Sequence, residues 1–273
     1  MRLLESIHWI DSNEIQFHLS IQKKYFTIVA YDWLASTNQH IFDNISHYAS
    51  YKTIAVVIAE LQTHGRGRRA HHWYSNLGGS LTFSLLWTTH LDSRYLSGLS
   101  LSISLSLVRV LVRFAKADFR IKWPNDVLFD HQKMAGILVE CKANSDHTLS
   151  VIIGIGINIK LPLNFSTHAD YPVTDLYQIT GHRANRNELL ALILVEIYQL
   201  LKVFEIYGFR AFREEWLQFH YFQNQSVILH LPNMEVIEGE VIGVSDEGEL
   251  VLQTECGQKS FTIGDITLRP KLS

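Results

Sequence analysis

A short basic loop is the part of this sequence best suited to chemistry. Two glycines alternate with three arginines in Gly65-Arg66-Gly67-Arg68-Arg69, directly after an apolar run of strand length. Glycines allow a tight turn and bring backbone N–H groups close to a ligand. Two guanidinium groups about 4 Å apart repel each other by about 4 kcal/mol at an effective dielectric of roughly 20, and a bound polyanion would relieve this repulsion. A solvated basic turn or a nucleic-acid contact explains the loop equally well.

A second segment places a lysine beside an aliphatic strand. The sequence KWPND at 122–126 precedes a hairpin that carries Lys133, and Gly136 and Leu138 follow in the strand. Since glycine permits close approach and aliphatic side chains form an apolar wall, Lys133 could meet a carboxylate at the mouth of an apolar pocket. A hydrogen bond to a charged group contributes about 1.5 to 3 kcal/mol, which helps to hold an acid. The alternative is a solvated lysine in a surface hairpin.

A third segment combines two glycines with an amide at the end of an apolar strand, in Gly154-Ile155-Gly156-Ile157-Asn158. It is not a dinucleotide fingerprint, because a third glycine and a following helix start are both missing. Glycines in a core strand also indicate that another element packs closely there. Asn158 is the distinctive residue, since its amide can both donate to and accept from an adenine edge.

Hydrophobic periodicity predicts the elements that position these segments. The residues STN at 36–38 can cap a helix that extends to about Tyr48, and the dense apolar stretch 95–115 predicts a buried helix. A second long helix should run over 187–207, with Asn187 as its N-cap, and a short helix over 209–221. The strands between 119 and 159 are joined by short turns, so we expect them to pair antiparallel. The predicted strands are 28–35, 54–60, 81–87, 119–123, 126–129, 135–141 and 149–159.

From about residue 222 the pattern changes to short strands divided by turn-forming residues, such as Pro232-Asn233 and Cys256-Gly257. Five short strands, at 227–231, 236–244, 249–254, 260–263 and 267–269, predict a small barrel. We therefore expect an α/β (α+β) protein in which residues 1–221 form a mixed sheet with helices and residues 222–273 form a second, smaller domain.

Size and composition fit this organisation and exclude several classes of protein. The chain has 273 residues, 47% of them hydrophobic, which can fill a sizeable core. Its 24 Lys and Arg against 27 Asp and Glu give a net charge of −3, so no global field draws it to nucleic acid or anionic lipid. Cys141 and Cys256 are far apart and fit a reducing cytoplasm. We expect neither a secretory signal nor a membrane span.

Together, the three segments resemble the motifs of biotin protein ligases. Ser36-Thr37-Asn38, the loop 65–69, KWPND at 122–126, Lys133 with its following glycine, and 154–158 occur in the order and approximate spacing of that family. The resemblance extends from about residue 28 to the C-terminal barrel. It implies a catalytic domain related to class II aminoacyl-tRNA synthetases, followed by an SH3-like β-barrel.

The resemblance also implies roles for individual residues. Arg66 and Lys133 would be catalytic, because Arg66 would contact the biotin carboxylate or the phosphate that joins it and Lys133 would stabilise charge on the same atoms. Biotin would be bound by Ser36, Thr37, Asn38, Gln62, Gly65, Arg66, Lys133, Gly136 and Leu138. ATP and the adenylate would be bound by Arg66, Arg68, Arg69, Trp73, Asn125, Lys133 and Asn158.

The implied reaction is the ATP-dependent conversion of biotin to biotinyl-5′-AMP, followed by transfer of biotin to a lysine of the biotin carboxyl carrier protein of acetyl-CoA carboxylase. It needs no side-chain nucleophile, since cationic groups would catalyse it by positioning and electrostatics. Mg²⁺ is expected with ATP, assisted by Asp126 or Asn125, although the sequence assigns no metal ligand. The family implies a cytoplasmic protein and leaves monomer or homodimer open.

The sequence departs from the family pattern in the basic loop. His71 stands where the family often has an arginine, and a histidine is mostly neutral at neutral pH. We therefore expect the loop to close less tightly over the adenylate. About 27 residues precede the first catalytic strand, too few for the winged helix-turn-helix of ligases that also repress transcription, so we expect no DNA binding.

Two other functions compete with this interpretation. A lipoate or octanoate ligase or transferase shares the fold and a lysine in a similar place, but it differs in the glycine and arginine motifs. A nucleic-acid-binding module would use the arginine loop as a phosphate contact, and it would bind oligonucleotides in a salt-sensitive way.

Overall fold

A computed structural model of the chain describes residues 7–162, 165, 171–231, 234–262 and 267–270. The larger of its two sheets has seven strands: β1 (Phe26–Leu34), β2 (Ile54–Gln62), β3 (Ser80–Thr89), β4 (Arg120–Lys122), β5 (Asp126–Phe129), β6 (Gln132–Ala143) and β7 (Leu149–Asn158). Their order is β1-β2-β3-β7-β6-β5-β4. The pair β1–β2 is parallel and the other neighbours are antiparallel, which confirms a mixed sheet and the predicted antiparallel pairing of 119–159.

Helices cover both faces of this sheet. The α-helices are α1 (Ser12–Leu19), α2 (Thr37–Asp43), α3 (Ile45–Tyr48), α4 (Leu99–Ala115), α5 (Leu176–Thr180), α6 (Arg186–Tyr207) and α7 (Arg213–Phe219). Alternate residues of β2 explain the arrangement, because Val56 and Ile58 join the cluster that contains the apolar residues of α4 and α6. Val57 lies on the other face, in a smaller cluster with Ile41 of α2 and Tyr48 of α3. A strand buried on both faces reads as a continuous apolar run, as β2 does.

The helix α4 is the buried helix predicted for the long apolar stretch. The stretch Ser93–Ala115, which includes α4, is long and apolar enough to cross a membrane, but 67% of its most apolar window is buried inside the molecule. Its fully buried residues, which include Leu101, Leu105 and Val108, pack in the larger core cluster. The helix is therefore part of the core of the larger unit.

The N-cap of α6 differs from the prediction. The side chain of Asn185 accepts hydrogen bonds from the backbone N–H groups of Asn187 and Glu188 at 2.9 and 3.2 Å, so Asn185 is the cap and the assignment of Asn187 was wrong. The Asn187 amide instead donates to the Trp9 carbonyl at 3.0 Å and to the Glu14 carboxylate at 2.8 Å. It therefore fastens the N-terminal segment, whose helix α1 was not predicted, to α6.

A buried ion pair completes the attachment of the N-terminal segment. Both guanidinium Nη atoms of Arg186 contact the carboxylate of Glu60, at 2.7 and 3.0 Å, and the two side chains are only 3 and 4% exposed. Arg186 also donates to the carbonyl of His8, and Glu60 accepts the backbone N–H groups of Ile10 and Gly78. The pair thus joins α6, β2 and two loops beside the end of β2.

The smaller sheet contains β8 (Ser226–His230), β9 (Val236–Val244), β10 (Leu250–Thr254), β11 (Gly257–Phe261) and β12 (Thr267–Pro270), in the antiparallel order β11-β10-β9-β8-β12. It agrees with the expected SH3-like domain. The fourth strand begins three residues before the predicted 260, while Pro232-Asn233 and Ile263 lie outside the described residues. We propose the domain boundary at 221/222, in the segment between α7 and β8.

Hydrogen bonds hold the two units together. The indole N–H of Trp123, just before β5, donates to the carbonyl of Gly248 at 3.0 Å. The Nε of Arg213 in α7 donates to the carbonyl of Val244 in β9 at 2.7 Å. Because Trp123 belongs to the KWPND segment, the smaller sheet supports a part of the chain that also lines the cleft described next.

A candidate active-site cleft

One cleft collects nearly all the residues singled out in the sequence. Its walls come from the start of α2, the chain after β2, the turn before β5, and the facing strands β6 and β7. The predicted site residues that line it are Ser36, Thr37, Asn38, Gln62, Arg66, Arg68, Arg69, Trp73, Asn125, Lys133, Gly136 and Leu138. Segments up to about 100 residues apart in sequence therefore converge, as the motif order predicts.

Two of the predicted site residues, Gly65 and Asn158, are not among the residues that line the cleft. Gly65 lies at the base of the basic loop, where a Cβ atom would come within 2.3 Å of the Trp73 carbonyl oxygen. Asn158 is 3% exposed, and its Nδ2 donates to the carbonyls of Lys133 and Thr174 at 3.3 and 2.9 Å. Its amide group thus holds the backbone behind the cleft, and contact with adenine stays a prediction.

A buried polar network forms one end of the cleft. Gln62 Oε1 accepts the backbone N–H of Thr37 at 2.7 Å and its hydroxyl at 3.1 Å. The hydroxyl of Ser84 contacts Thr37 Oγ1 at 2.6 Å and Asn38 Oδ1 at 2.5 Å. Ser36 caps α2 by accepting the N–H of Gln39. Buried polar groups need partners, so this network fixes donors and acceptors that could meet a compact polar head group, and Ser84 was missed because no motif contains it.

The glycines of β6 and β7 make room for two side chains. Gly136 and Gly156 are paired across the strands, and a Cβ atom at Gly156 would come within 2.2 Å of the Trp73 ring. A Cβ atom at Gly154 would come within 2.2 Å of Asn38 Oδ1. Trp73 therefore packs directly on the strand backbone, and its Nε1 is buried without a hydrogen-bond partner among the described residues. These glycines are packing sites rather than a phosphate-binding turn.

The basic loop forms a short hairpin over the cleft. The backbone N–H of Gly67 donates to the carbonyl of His71 at 2.8 Å, and that of Trp73 donates to the carbonyl of Gly65 at 3.0 Å. At its tip Arg69 adopts φ of 54°, an uncommon backbone conformation for a residue other than glycine. The hairpin brings Arg66, Arg68, Arg69 and His71 to the cleft wall.

Arg66 has two partners that the sequence did not indicate. Its Nη1 donates to Gln39 Oε1 and its Nη2 to Glu140 Oε1, both at 2.8 Å. The other carboxylate oxygen of Glu140 accepts from Asn38 Nδ2 at 2.9 Å. Glu140 follows Gly136 and Leu138 at every second position of β6, so it continues the row of residues that faces the cleft.

Lys133 is a second cation that lines the cleft. Its Nζ lies 2.7 Å from Asp126 Oδ1 and 3.3 Å from the hydroxyl of Tyr171, and it is 5.8 Å from the centre of the Trp73 ring. Burial by itself lowers the pKa of the Lys133 ammonium, but Asp126 and Tyr171 outweigh this effect and hold the pKa above its usual value. Lys133 is therefore charged at neutral pH.

Asn125 of the KWPND segment forms hydrogen bonds with the basic hairpin and with β6. Its Oδ1 accepts from Arg68 Nη1 at 3.3 Å, and its Nδ2 donates to the carbonyl of Ile137 at 2.8 Å. An amide that is already bonded on both sides is suited to orienting an arginine.

Across the residues that the structure describes, no three His, Cys, Asp or Glu side chains converge into a group that could hold a metal ion.

Comparison with known proteins identifies two matching families. Residues 31–158 match the biotin/lipoate A/B protein ligase family, and residues 223–269 match the biotin protein ligase C-terminal domain. The bifunctional ligase/repressor BirA of Escherichia coli is 32% identical over 86% of this chain and 71% of its own length. The biotin–[acetyl-CoA-carboxylase] ligase of Paracoccus denitrificans is 27% identical over 78% of this chain and 89% of its own length.

Solved structures give the same result. The biotin protein ligase from Aquifex aeolicus in complex with biotin and ATP superposes with a TM-score of 0.75 at 30% identity, over 90% of this chain and 99% of that chain. The similarity therefore includes both the catalytic unit and the smaller sheet. Fold, cleft and relatives agree with the resemblance found in the sequence, and this chain belongs to the biotin protein ligase family.

Proposed function

We propose that the cleft activates biotin with ATP to biotinyl-5′-AMP and transfers biotin to a lysine of a biotin carboxyl carrier protein. The observation that carries this proposal is the placement of two cations, Arg66 and Lys133, in one cleft that also contains a buried polar network. A cleft of this kind can hold an acid by both its polar head and its carboxylate. The match to the biotin protein ligase C-terminal domain favours biotin over lipoate or octanoate.

The bound substrates would use the two parts of the cleft differently. Thr37, Gln62 and Asn38 offer buried donors and acceptors to the ureido group of biotin, while Leu138 and the Trp73 ring flank the apolar part. Arg66 would meet the carboxylate. Arg68, which Asn125 orients, and Arg69 would face the phosphates of ATP.

Catalysis would then be electrostatic. The biotin carboxylate attacks the α-phosphorus of ATP, a new P–O bond forms, and pyrophosphate leaves. A charged Lys133 stabilises the negative charge that builds up on the phosphorus oxygens, as fixed cations do in a cleft that excludes water. In the second step the lysine amine of the carrier attacks the acyl carbon and AMP leaves. Arg66 would hold the carboxylate in place for the first step and the acyl phosphate formed from it for the second.

Magnesium is expected to enter with ATP. Mg²⁺ is usually held by one or two carboxylates together with substrate phosphates and waters. Among the described residues that line the cleft, Asp126 offers a carboxylate, which is paired with Lys133. Asp126 or Asn125 would assist the ion directly or through water.

We further propose a cytoplasmic location, since Cys141 and Cys256 are both free and exposed. Sedimentation at several concentrations decides between monomer and homodimer.

The decisive experiment measures biotin-dependent exchange between ATP and pyrophosphate, followed by labelling of an apo carrier domain. We expect exchange with biotin and a biotinylated carrier lysine. Exchange with lipoate or octanoate instead of biotin would show that the substrate assignment is wrong. Salt-sensitive oligonucleotide binding without any exchange would favour the nucleic-acid function of the arginine loop.

A further inference from the structure

Glu140 lies on the cleft-facing side of β6, next to two site residues. One carboxylate oxygen accepts from Arg66 Nη2 at 2.8 Å and the other from Asn38 Nδ2 at 2.9 Å. Asn38 is buried, lies directly against Gly154 and is also bound by Ser84 Oγ, so it cannot shift freely. Glu140 is consequently anchored on one side and free to orient a partner on the other.

That partner, Arg66, belongs to an exposed part of the site. The Arg66 side chain is 42% exposed and lies in the basic hairpin, whereas Glu140 is 24% exposed. Gln39 fixes the second Nη atom of Arg66 at 2.8 Å. A long, exposed arginine loses side-chain entropy when it is held in one orientation. This loss weakens ligand binding unless the side chain is already ordered in the free protein.

We propose that Glu140 is a positioning residue that holds Arg66, and with it the basic hairpin, ready for the carboxylate of biotin before the substrate binds. A guanidinium has five N–H donors, of which Glu140 and Gln39 take two, so donors remain for the substrate. Glu140 would thereby link the buried network around Asn38 to the hairpin. This inference rests on the proposed function, because it takes biotin as the acid that Arg66 meets.

The test replaces Glu140 by glutamine, which keeps the shape of the side chain and removes its charge. We expect the KM for biotin in pyrophosphate exchange to rise about three- to fivefold, with kcat changed less than twofold, because a partly exposed ion pair is a modest contributor. The matched control is Glu255→Gln, in the exposed turn between β10 and β11. An unchanged KM in Glu140→Gln would overturn the inference.

A double variant tests whether Glu140 acts through Arg66. In an Arg66→Ala background, Glu140→Gln should raise the KM for biotin no further, since coupled residues are not additive. A further fivefold rise in that background would show that Glu140 acts independently of Arg66 and would overturn the proposal.

Hydrogen exchange of the unliganded protein gives a readout that does not depend on activity. Amides of residues 65–73 should exchange several-fold faster in Glu140→Gln than in the parent and in Glu255→Gln, while thermal unfolding stays the same. Unchanged exchange would contradict the positioning role. The parent protein could lack biotin-dependent exchange between ATP and pyrophosphate while Glu140→Gln still speeds hydrogen exchange in the hairpin. In that case the proposed function fails and the link between Glu140 and the hairpin stands.

Discussion

The ammonium group of Lys133 is both the proposed catalytic cation and the structural partner of Asp126. The two charged atoms are 2.7 Å apart, and the side chains are 13 and 21% exposed. Removing one member of a largely buried pair leaves the other charge uncompensated, which costs up to about 3 to 5 kcal/mol. A loss of activity in a simple Lys133 variant would therefore mix catalysis with stability.

Two variants separate these effects. We expect Lys133→Met to lose about 100-fold or more in the rate of adenylate formation and also to be destabilised. Lys133→Met combined with Asp126→Asn should regain most of the stability, since no unpaired charge remains, but not the rate. Pyrophosphate exchange and urea unfolding measure the two quantities, with Asp126→Asn alone as control. Recovery of the rate in the double variant would make Lys133 a structural residue.

Single residues also mark the limits of prediction from sequence. Twelve of the fourteen predicted site residues line the cleft, because glycine, arginine and lysine at motif spacing carry a strong signal. Glu140 and Ser84 carried none, since each lies in an ordinary strand and contacts site residues that are distant from it in sequence. Asn158 shows the opposite case, in which a buried amide bonded to main-chain carbonyls looks the same in sequence as one that binds a ligand.

At the scale of elements, β6 and β7 act as a platform for the basic hairpin. Trp73 ends the hairpin and packs against Gly156, so the position of the hairpin depends on the absence of a side chain in β7. Sequence periodicity predicted β7 to within one residue, because it is a continuous apolar run, whereas β6 extends beyond the predicted 135–141 at both ends, where it includes polar residues. It could not separate the cap Asn185 from Asn187, or show that the helix after residue 36 is interrupted at Asn44, because both depend on local backbone angles.

An added methyl group tests the platform. In Gly156→Ala the new Cβ atom would come within 2.2 Å of the indole, so Trp73 must move and the hairpin should lose its support. We expect faster hydrogen exchange across 65–73 and a KM for biotin raised about tenfold or more, beyond a stability loss of about 1 to 3 kcal/mol. Ile153→Val in the same strand should cost about 0.5 to 1.5 kcal/mol and leave the hairpin unaffected. Equal exchange in the two variants would rule out the platform role.

At the scale of the whole molecule, the two units meet around a buried histidine. His220, at the end of α7, is 4% exposed, and its ring lies 4.6 Å from that of Trp216. Its Nδ1 lies 3.4 Å from Gln223 Oε1, while Nε2 has no hydrogen-bond partner among the described residues. Burial lowers the pKa of His220 to about 4, and the contact with Gln223 opposes this only in part. The junction is therefore built around a neutral imidazole.

This junction predicts that acid destabilises the protein. Between pH 6.5 and 4 the unfolded chain binds a proton at His220 that the folded chain does not, so the free energy of unfolding falls as pH falls. At about 1.4 kcal/mol per pH unit, the loss from pH 7.5 to 5 is about 2 kcal/mol. His220→Phe keeps a ring beside Trp216 but removes the titration, so its stability should decline by about 2 kcal/mol less than that of the parent over this range.

Urea unfolding at several pH values measures the difference, and His230→Phe, at an exposed position of β8, is the matched control. Parallel pH profiles for the parent and His220→Phe would mean that the folded protein accepts the proton at His220 without strain at the junction.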